Sequence, residues 1–291
     1  SFDIKCKPLL DEIAFLKNNE SQIIARHVKS GSHRVGSPVL FLLSSYNNGF
    51  DISEFGCLSV LENCGSLFMA LHHFKNFKSE NTLESYLDFM FSDFSIPNSS
   101  ELLTANVSRL HEIEVIENIF SLLKTEAFLI AGSPFMGRGE CCHGLLNQEG
   151  ITTMFDLYKF KNLGFNFVGN SMFDLCFFII SSGFSQRNKT LFAKEYFDFY
   201  NMDFRESIEE FDLCMKMASC VFLSKLFFDF LIEETVYNNV RPEKLLSIAI
   251  LFLNSYSHLQ KLDCFEFIDE DLKRIITRPI TEQEANPDNY E

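Results

Sequence analysis

The hydrophobic period of this chain changes across the stretch YNNGFDISEFG, from Tyr46 to Gly56, and that change constrains the fold more than any other feature. Before it, FDIKC reads as a short strand. LLDEIAFLKNN, after Pro8, reads as a helix with Leu9, Leu10, Ile13, Phe15 and Leu16 at helical spacing. QIIARHV and PVLFLLSSY read as two further strands, separated by the turn-forming KSGSHRVGS. Beyond Gly56 the pattern is helical. A chain that keeps its strands in a short first part and its helices in a long second part is expected to fold as α+β. The expected division is a small α/β lobe over residues 1–48, a hinge near Asn47 to Gly49, a large mainly helical lobe over 49–280, and an acidic tail, TEQEANPDNYE, over 281–291.

Helices are expected over CLSVLENCGSLFMALHHF, over TLESYLDFMFSDF with a cap at Asn81 or Thr82, and over SELLTANVSRLHEIEVIENIFSLLKTE. From Ser171 onward four more follow, among them RESIEEFDLCMKMASCVFLSKLFFDFLIEE and, after Pro242, EKLLSIAILFLNSYSHLQKL. Between about 140 and 172 the pattern is short, irregular and glycine-containing, as suits loops and small hairpins that carry function. No internal repeat is evident.

Charge and composition narrow the function. The net charge of −15 repels a phosphate backbone, and no basic patch opposes it, so nucleic-acid binding is not expected. The most apolar run, MASCVFLSKLFFDFLIEE, is interrupted by Lys225 and Asp229, which suits a buried amphipathic helix and not a membrane span. The 34 Phe, with no Trp beside them, read as core packing. Nine Cys without C-x-x-C spacing read as buried free thiols of a reducing, cytoplasmic compartment. A zinc site from Cys141, Cys142 and His143 is disfavoured, because adjacent cysteines seldom face one metal together, and no metal ligand is assigned.

The decamer CCHGLLNQEG, Cys141 to Gly150, has the outline of a phosphotransferase catalytic loop, His-Gly-Asp-Leu-x-x-x-Asn. With the order of elements around it, it resembles the aminoglycoside phosphotransferase and choline kinase group, which has a protein-kinase-like two-lobe fold. GSLFMALHHF is similar to the family's helix ending in Leu-His, and FLLSSYNNGFDI to the strand and hinge between the lobes. GNSMFDLCFFI is similar to a downstream helix start, so that residues 141–176 form the catalytic-loop-like segment. The resemblance implies an ion pair between a strand lysine, Lys5 or else Lys7, and the helix glutamate Glu12, and it places Lys5, Glu12, Tyr46 and Lys159 against a nucleotide. It also implies that Asp174 holds the loop through hydrogen bonds. No glycine-rich hairpin precedes Lys5 in a sequence that begins at Ser1, so the small lobe is expected to be incomplete and to offer a strand edge for self-association.

Phosphoryl transfer in this family needs a carboxylate to receive the hydroxyl proton and two groups to hold metal ions. Leu145 stands at the base position and Gly150 at the metal-binding amide. For the second metal ligand, the apolar pattern of FDLYKFKNLG places Lys159 where an aspartate belongs; a three-residue shift places Asp156 there instead. Asn147 and Glu149 could substitute only in a rebuilt loop. Taken singly, His143 reads equally as a packed core histidine, Asp174 as a helix-start residue and Lys5 with Glu12 as a solvated pair. The candidate catalytic positions are therefore His143, Leu145 as the lost base, Asp156 and Asp174. The expected function is a catalytically inactive kinase-like protein that binds a small molecule or a protein partner, with no confident cofactor. The alternative is an active phosphotransferase using ATP and Mg²⁺ on an amino alcohol, sugar or aminoglycoside.

Overall fold

The structure, a computed structural model, describes residues 2–19, 21, 24, 27–35, 37–44, 50–51, 63–92, 110–154, 157–182 and 184–237. It opens with helix α1, Phe2–Asn18, which carries Pro8 inside it. The strand expected over FDIKC is thus a helix. A five-residue strand needs a neighbour to satisfy its backbone, whereas helical continuation satisfies it locally, at the loss of one N–H at Pro8. The unpaired edge expected there, and the self-association argued from it, lose their basis.

The hairpin of β1, His27–Val35, and β2, Ser37–Ser44, is antiparallel, with Val35 opposite Ser37 at its tip. Most of the stretch read as a turn is therefore strand. Its Ser, Gly and His residues have little intrinsic strand preference, but the apolar PVLFLLS run offers a continuous ladder, and pairing overrides propensity. A second sheet has the order β3 (Phe50–Asp51), β5 (Ile151–Met154), β6 (Leu157–Phe160), all antiparallel.

The other described helices are α2 (Cys64–Phe74), α3 (Leu83–Ser92), α4 (Leu110–Ala131), α5 (Met172–Ser181), α6 (Gln186–Phe199) and α7 (Phe204–Tyr237). Thr82 starts α3, its Oγ1 accepting the Ser85 N–H at 3.1 Å, as the capping pattern predicted. The helix expected after Pro242 lies outside the described residues.

Helix α5 is the hub of the core. Every residue from Met172 to Ile180 is buried, the pattern of a helix covered on all sides; α7 and α6 pack against it, and α4 packs on α7. The phenylalanines fill this core: Phe68, Phe74, Phe160, Phe167, Phe173, Phe177, Phe178, Phe184, Phe192 and Phe197 are all almost fully buried. A third, two-stranded sheet, β4 (Glu140–Cys142) with β7 (Phe167–Gly169), bridges the ends of the irregular segment and leads directly into α5. Among the described residues no helix is long and apolar enough to cross a membrane.

Candidate functional site

Because β4 pairs with β7, the chain leaving Cys142 emerges beside the first turn of α5, where Asp174 lies. The Asp174 carboxylate accepts the His143 N–H at 2.6 Å and the Gly144 N–H at 3.0 Å. This is the arrangement the resemblance implied for the aspartate. Burial pushes the carboxyl up to about 7, against the opposing effect of these two donors.

Gly144 is required here. Its φ is +90°, and a Cβ on it would stand 2.1 Å from the carbonyl oxygen of Phe165. Its own carbonyl accepts the Tyr86 hydroxyl of α3 at 2.6 Å. The turn at 143–144 is therefore fixed from α5, from α3 and from the segment after β6.

The imidazole of His143 is fully buried, with Phe74 and Phe160 beside it at centroid distances of 5.9 and 6.0 Å. Its Nε2 lies 2.6 Å from the carbonyl oxygen of Lys161. A carbonyl only accepts, so Nε2 carries the proton and Nδ1 is a buried acceptor, which has no partner. Burial lowers the group to about 4, which keeps the ring neutral. His143 is a structural strut between the loop and the end of β6.

The next residues turn inward. Leu145 is 8% exposed and Leu146 is fully buried, both in the main core. Asn147 caps the 3-10 turn Gln148–Gly150, its Oδ1 accepting the Gly150 N–H at 2.8 Å. Gln148 donates to the Ser182 carbonyl at 2.9 Å. Glu149 is exposed. Gly150 is buried against the His143 ring, and a Cβ there would meet its first neighbours at 3.4 Å.

The hairpin β5–β6 sets the opposing wall. Thr152 pairs with Lys159 and Ile151 with Phe160, and the Lys161 N–H still bonds the Gly150 carbonyl at 2.8 Å. Lys159 thus sits inside β6, and the residue whose backbone meets the loop is Lys161. Asp156 and Tyr46 lie outside the described residues.

On the other side, α1 is clamped to the 3-10 turn Leu163–Phe165. A Cβ on Gly164 would stand 2.1 Å from the Pro8 carbonyl oxygen, a backbone approach open only to glycine. The Glu12 carboxylate accepts the Leu163 N–H, and burial raises its pKa despite that bond. Lys5 and Glu12 are seven residues apart on one helix, not on a strand and a helix as expected, and Glu12 is engaged with backbone. The reserve lysine, Lys7, reaches α3, donating to the Ser85 carbonyl at 3.4 Å with its ammonium 5.1 Å from the Phe89 ring centre.

The structure therefore ties His143 to Asp174, and ties both His143 and Glu12 to the backbone of the segment after β6, while Leu145 packs into the core and Lys5 lies on α1. Sequence reasoning missed Tyr86, the role of the Lys161 carbonyl and that of the Leu163 N–H. The last two act through backbone groups, which no residue pattern reports, and Tyr86 sits in an ordinary amphipathic helix. Cys141 and Cys142 are buried thiols whose pKa values are pushed up by burial. Among the described residues no group of three or more His, Cys, Asp or Glu side chains is placed to hold a metal ion.

No protein-family model matches the sequence, and no curated protein is significantly similar to it. Solved structures are similar to it in fold. An aminoglycoside-3'-phosphotransferase of type VIII matches with a TM-score of 0.51 at 14% identity, over 74% of this chain and 80% of its own. A thermostable mutant of the aminoglycoside phosphotransferase APH(4)-Ia matches with a TM-score of 0.54 at 8% identity, over 87% and 84%. A choline/ethanolamine kinase family protein from Mesorhizobium loti matches with a TM-score of 0.52 at 12% identity, over 91% and 83%. These likenesses show the fold: the chain has the two-lobe, protein-kinase-like α+β fold of the aminoglycoside phosphotransferases and the choline/ethanolamine kinase family protein that it matches.

Proposed function

We propose that this protein keeps the phosphotransferase scaffold without the transfer reaction and acts by binding a small molecule or a partner protein. The observation that carries this reading is Leu145. An alkyl side chain, packed into the core, occupies the position from which the family's loop presents its carboxylate base. Loss of a general base alone removes about 10²- to 10⁴-fold in rate. Two neighbouring side chains are engaged elsewhere, since Asn147 caps the turn and Gln148 is bound to Ser182. The residues at the metal-holding positions also do not fit Mg²⁺: Gly150 has no side-chain oxygen, and both side chains flanking Phe160 are lysines.

The test is an ATP and Mg²⁺ assay against a panel of amino alcohols, aminoglycosides and sugars. No transfer above background is expected. Turnover that disappears in Asp156→Ala would establish the active alternative, with that aspartate as the displaced acid.

A further inference from the structure

The Lys7 side chain leaves α1 toward α3, where its half-buried ammonium meets two groups one helical turn apart. The Ser85 carbonyl oxygen accepts from it at 3.4 Å, and the centre of the Phe89 ring lies 5.1 Å away. Phe165, from the turn after β6, extends this aromatic wall, its ring centre 5.9 Å from that of Phe89. Asp11, one turn along α1 from Lys7, lines the same cleft. Burial raises the Asp11 carboxyl, the Lys7 ammonium and a bond from the Asn81 side chain draw it down, and nearby Glu80 raises it again.

A carbonyl oxygen, a ring face and a carboxylate share one preference, for a positive charge that has shed part of its water. The space left in the cleft is about 10 Å³, room for no more than one water molecule, so its walls close on the ammonium that the chain itself supplies. The same stretch of α1 makes both contacts with the turn Leu163–Phe165, the Pro8 carbonyl against Gly164 and the Glu12 carboxylate on the Leu163 N–H. Lys7 adds the hold on α3. The carbonyl of Phe165 in turn stands against Gly144, so the seat of α1 and the turn at 143–144 share a wall.

We infer that the cleft between α1 and α3 is a binding site for an organic ammonium group, and that Lys7 is its built-in occupant, a latch that holds α1 on α3. The inference stands apart from the non-catalytic reading, since no part of it depends on transfer. Tethered to α1, the Lys7 ammonium has little translational freedom to lose on binding, so it excludes free amines from the site in the intact protein. Shortening the side chain to alanine removes the stem beyond Cβ together with the charge, which leaves a space with the shape and preference of propylammonium.

The test follows hydrogen exchange of the α1 amides from Leu9 to Asn18, together with the thermal midpoint, in wild type, Lys7→Ala, Lys7→Gln and the double variant Lys7→Ala with Asp11→Asn. Each is measured in propylammonium chloride, in 1-propanol and in sodium chloride at equal concentration. Lys7→Ala is expected to speed α1 exchange about tenfold while that of α5 changes by less than about twofold. Propylammonium should restore both the slow exchange and the midpoint of Lys7→Ala. Propanol and sodium chloride should not, and Asp11→Asn should remove the rescue. Lys7→Gln fills the cleft without the charge, so it should exchange faster than wild type and ignore propylammonium; if Lys7→Ala does not fold, this variant decides. Wild-type exchange in either single variant, absence of rescue in folded Lys7→Ala, rescue by propanol as strong as by propylammonium, rescue that survives Asp11→Asn, or an equal effect of propylammonium on wild type would each overturn the inference.

Discussion

His143 and Asp174 are joined back to back: the aspartate accepts the backbone N–H of the histidine while the histidine ring, on its other side, donates to the carbonyl of Lys161. The two side chains titrate in opposite senses. His143, lowered to about 4 from an ordinary 6.5, contributes stability that is complete above pH 6.5 and is lost as pH falls through 4. Asp174, raised to about 7 from 3.8, contributes stability that is complete below pH 3.8 and is lost as pH rises through 7. Each effect is worth roughly 3–4 kcal/mol, and between about pH 4 and 6.5 they nearly offset one another. Asp174→Asn removes one side of this balance. Relative to wild type, the variant should lose about 3 kcal/mol of additional stability between pH 7 and pH 4, measured by urea unfolding at a series of pH values. Parallel pH profiles for the two proteins would refute the coupling.

Replacing the histidine ring tests its role as a strut. His143→Ala leaves a hole beside Phe74 and Phe160 and removes the donor to the Lys161 carbonyl. A loss of about 2–4 kcal/mol is expected from the cavity and the unmet carbonyl together, read from denaturant midpoints. A change below about 0.5 kcal/mol would mean that the ring bears no structural load.

The two glycines of the loop should respond in opposite ways to alanine. At Gly144 the positive φ and the 2.1 Å approach to the Phe165 oxygen leave no space, so Gly144→Ala should cost more than about 2 kcal/mol and disturb the Tyr86 contact. At Gly150 the first contacts are at 3.4 Å, and Gly150→Ala should change stability by less than about 1 kcal/mol. Equal effects, compared by thermal melting of the two variants, would contradict this geometry.

Restoring the acid in name does not restore it in place. Leu145→Asp puts a carboxylate where an alkyl group is packed among core residues, so it should destabilise the fold by about 3 kcal/mol or more near neutral pH and recover part of that loss in acid, where the carboxyl is neutral. Stability of Leu145→Asp equal to wild type at pH 7, from denaturation curves, would show that position 145 opens toward solvent and a substrate.

The sequence displayed some of this architecture clearly. Asp174 was legible because a short acid at the start of an all-apolar helix, thirty-one residues past a His-Gly pair, is a spacing that can be matched. The helix from Phe204 and the cap at Thr82 were legible because periodicity and capping are local signals. Local reading failed for FDIKC, where five residues of mixed character fit either period and Pro8 suggested a break that the helix absorbs. Nor could it show the bond Glu12 makes, because that partner is an amide N–H at Leu163, far along the chain and identical in kind to every other amide. It did not reveal the carbonyl of Lys161, which meets the His143 ring at the junction but carries no side-chain signature.

The burial of the cysteines has a practical consequence. Cys64, Cys141, Cys142, Cys176, Cys214 and Cys220 are buried and outside any disulfide, and burial is the main cause raising the thiol pKa at Cys64, Cys141, Cys142, Cys176 and Cys214. Such sulfurs hold almost no thiolate at neutral pH and meet an alkylating reagent only when the chain around them opens. Because Cys141 and Cys142 lie in the strand feeding the loop and Cys214 and Cys220 in α7, their separate labelling rates would time the breathing of the junction against that of the helical core, without any engineered probe.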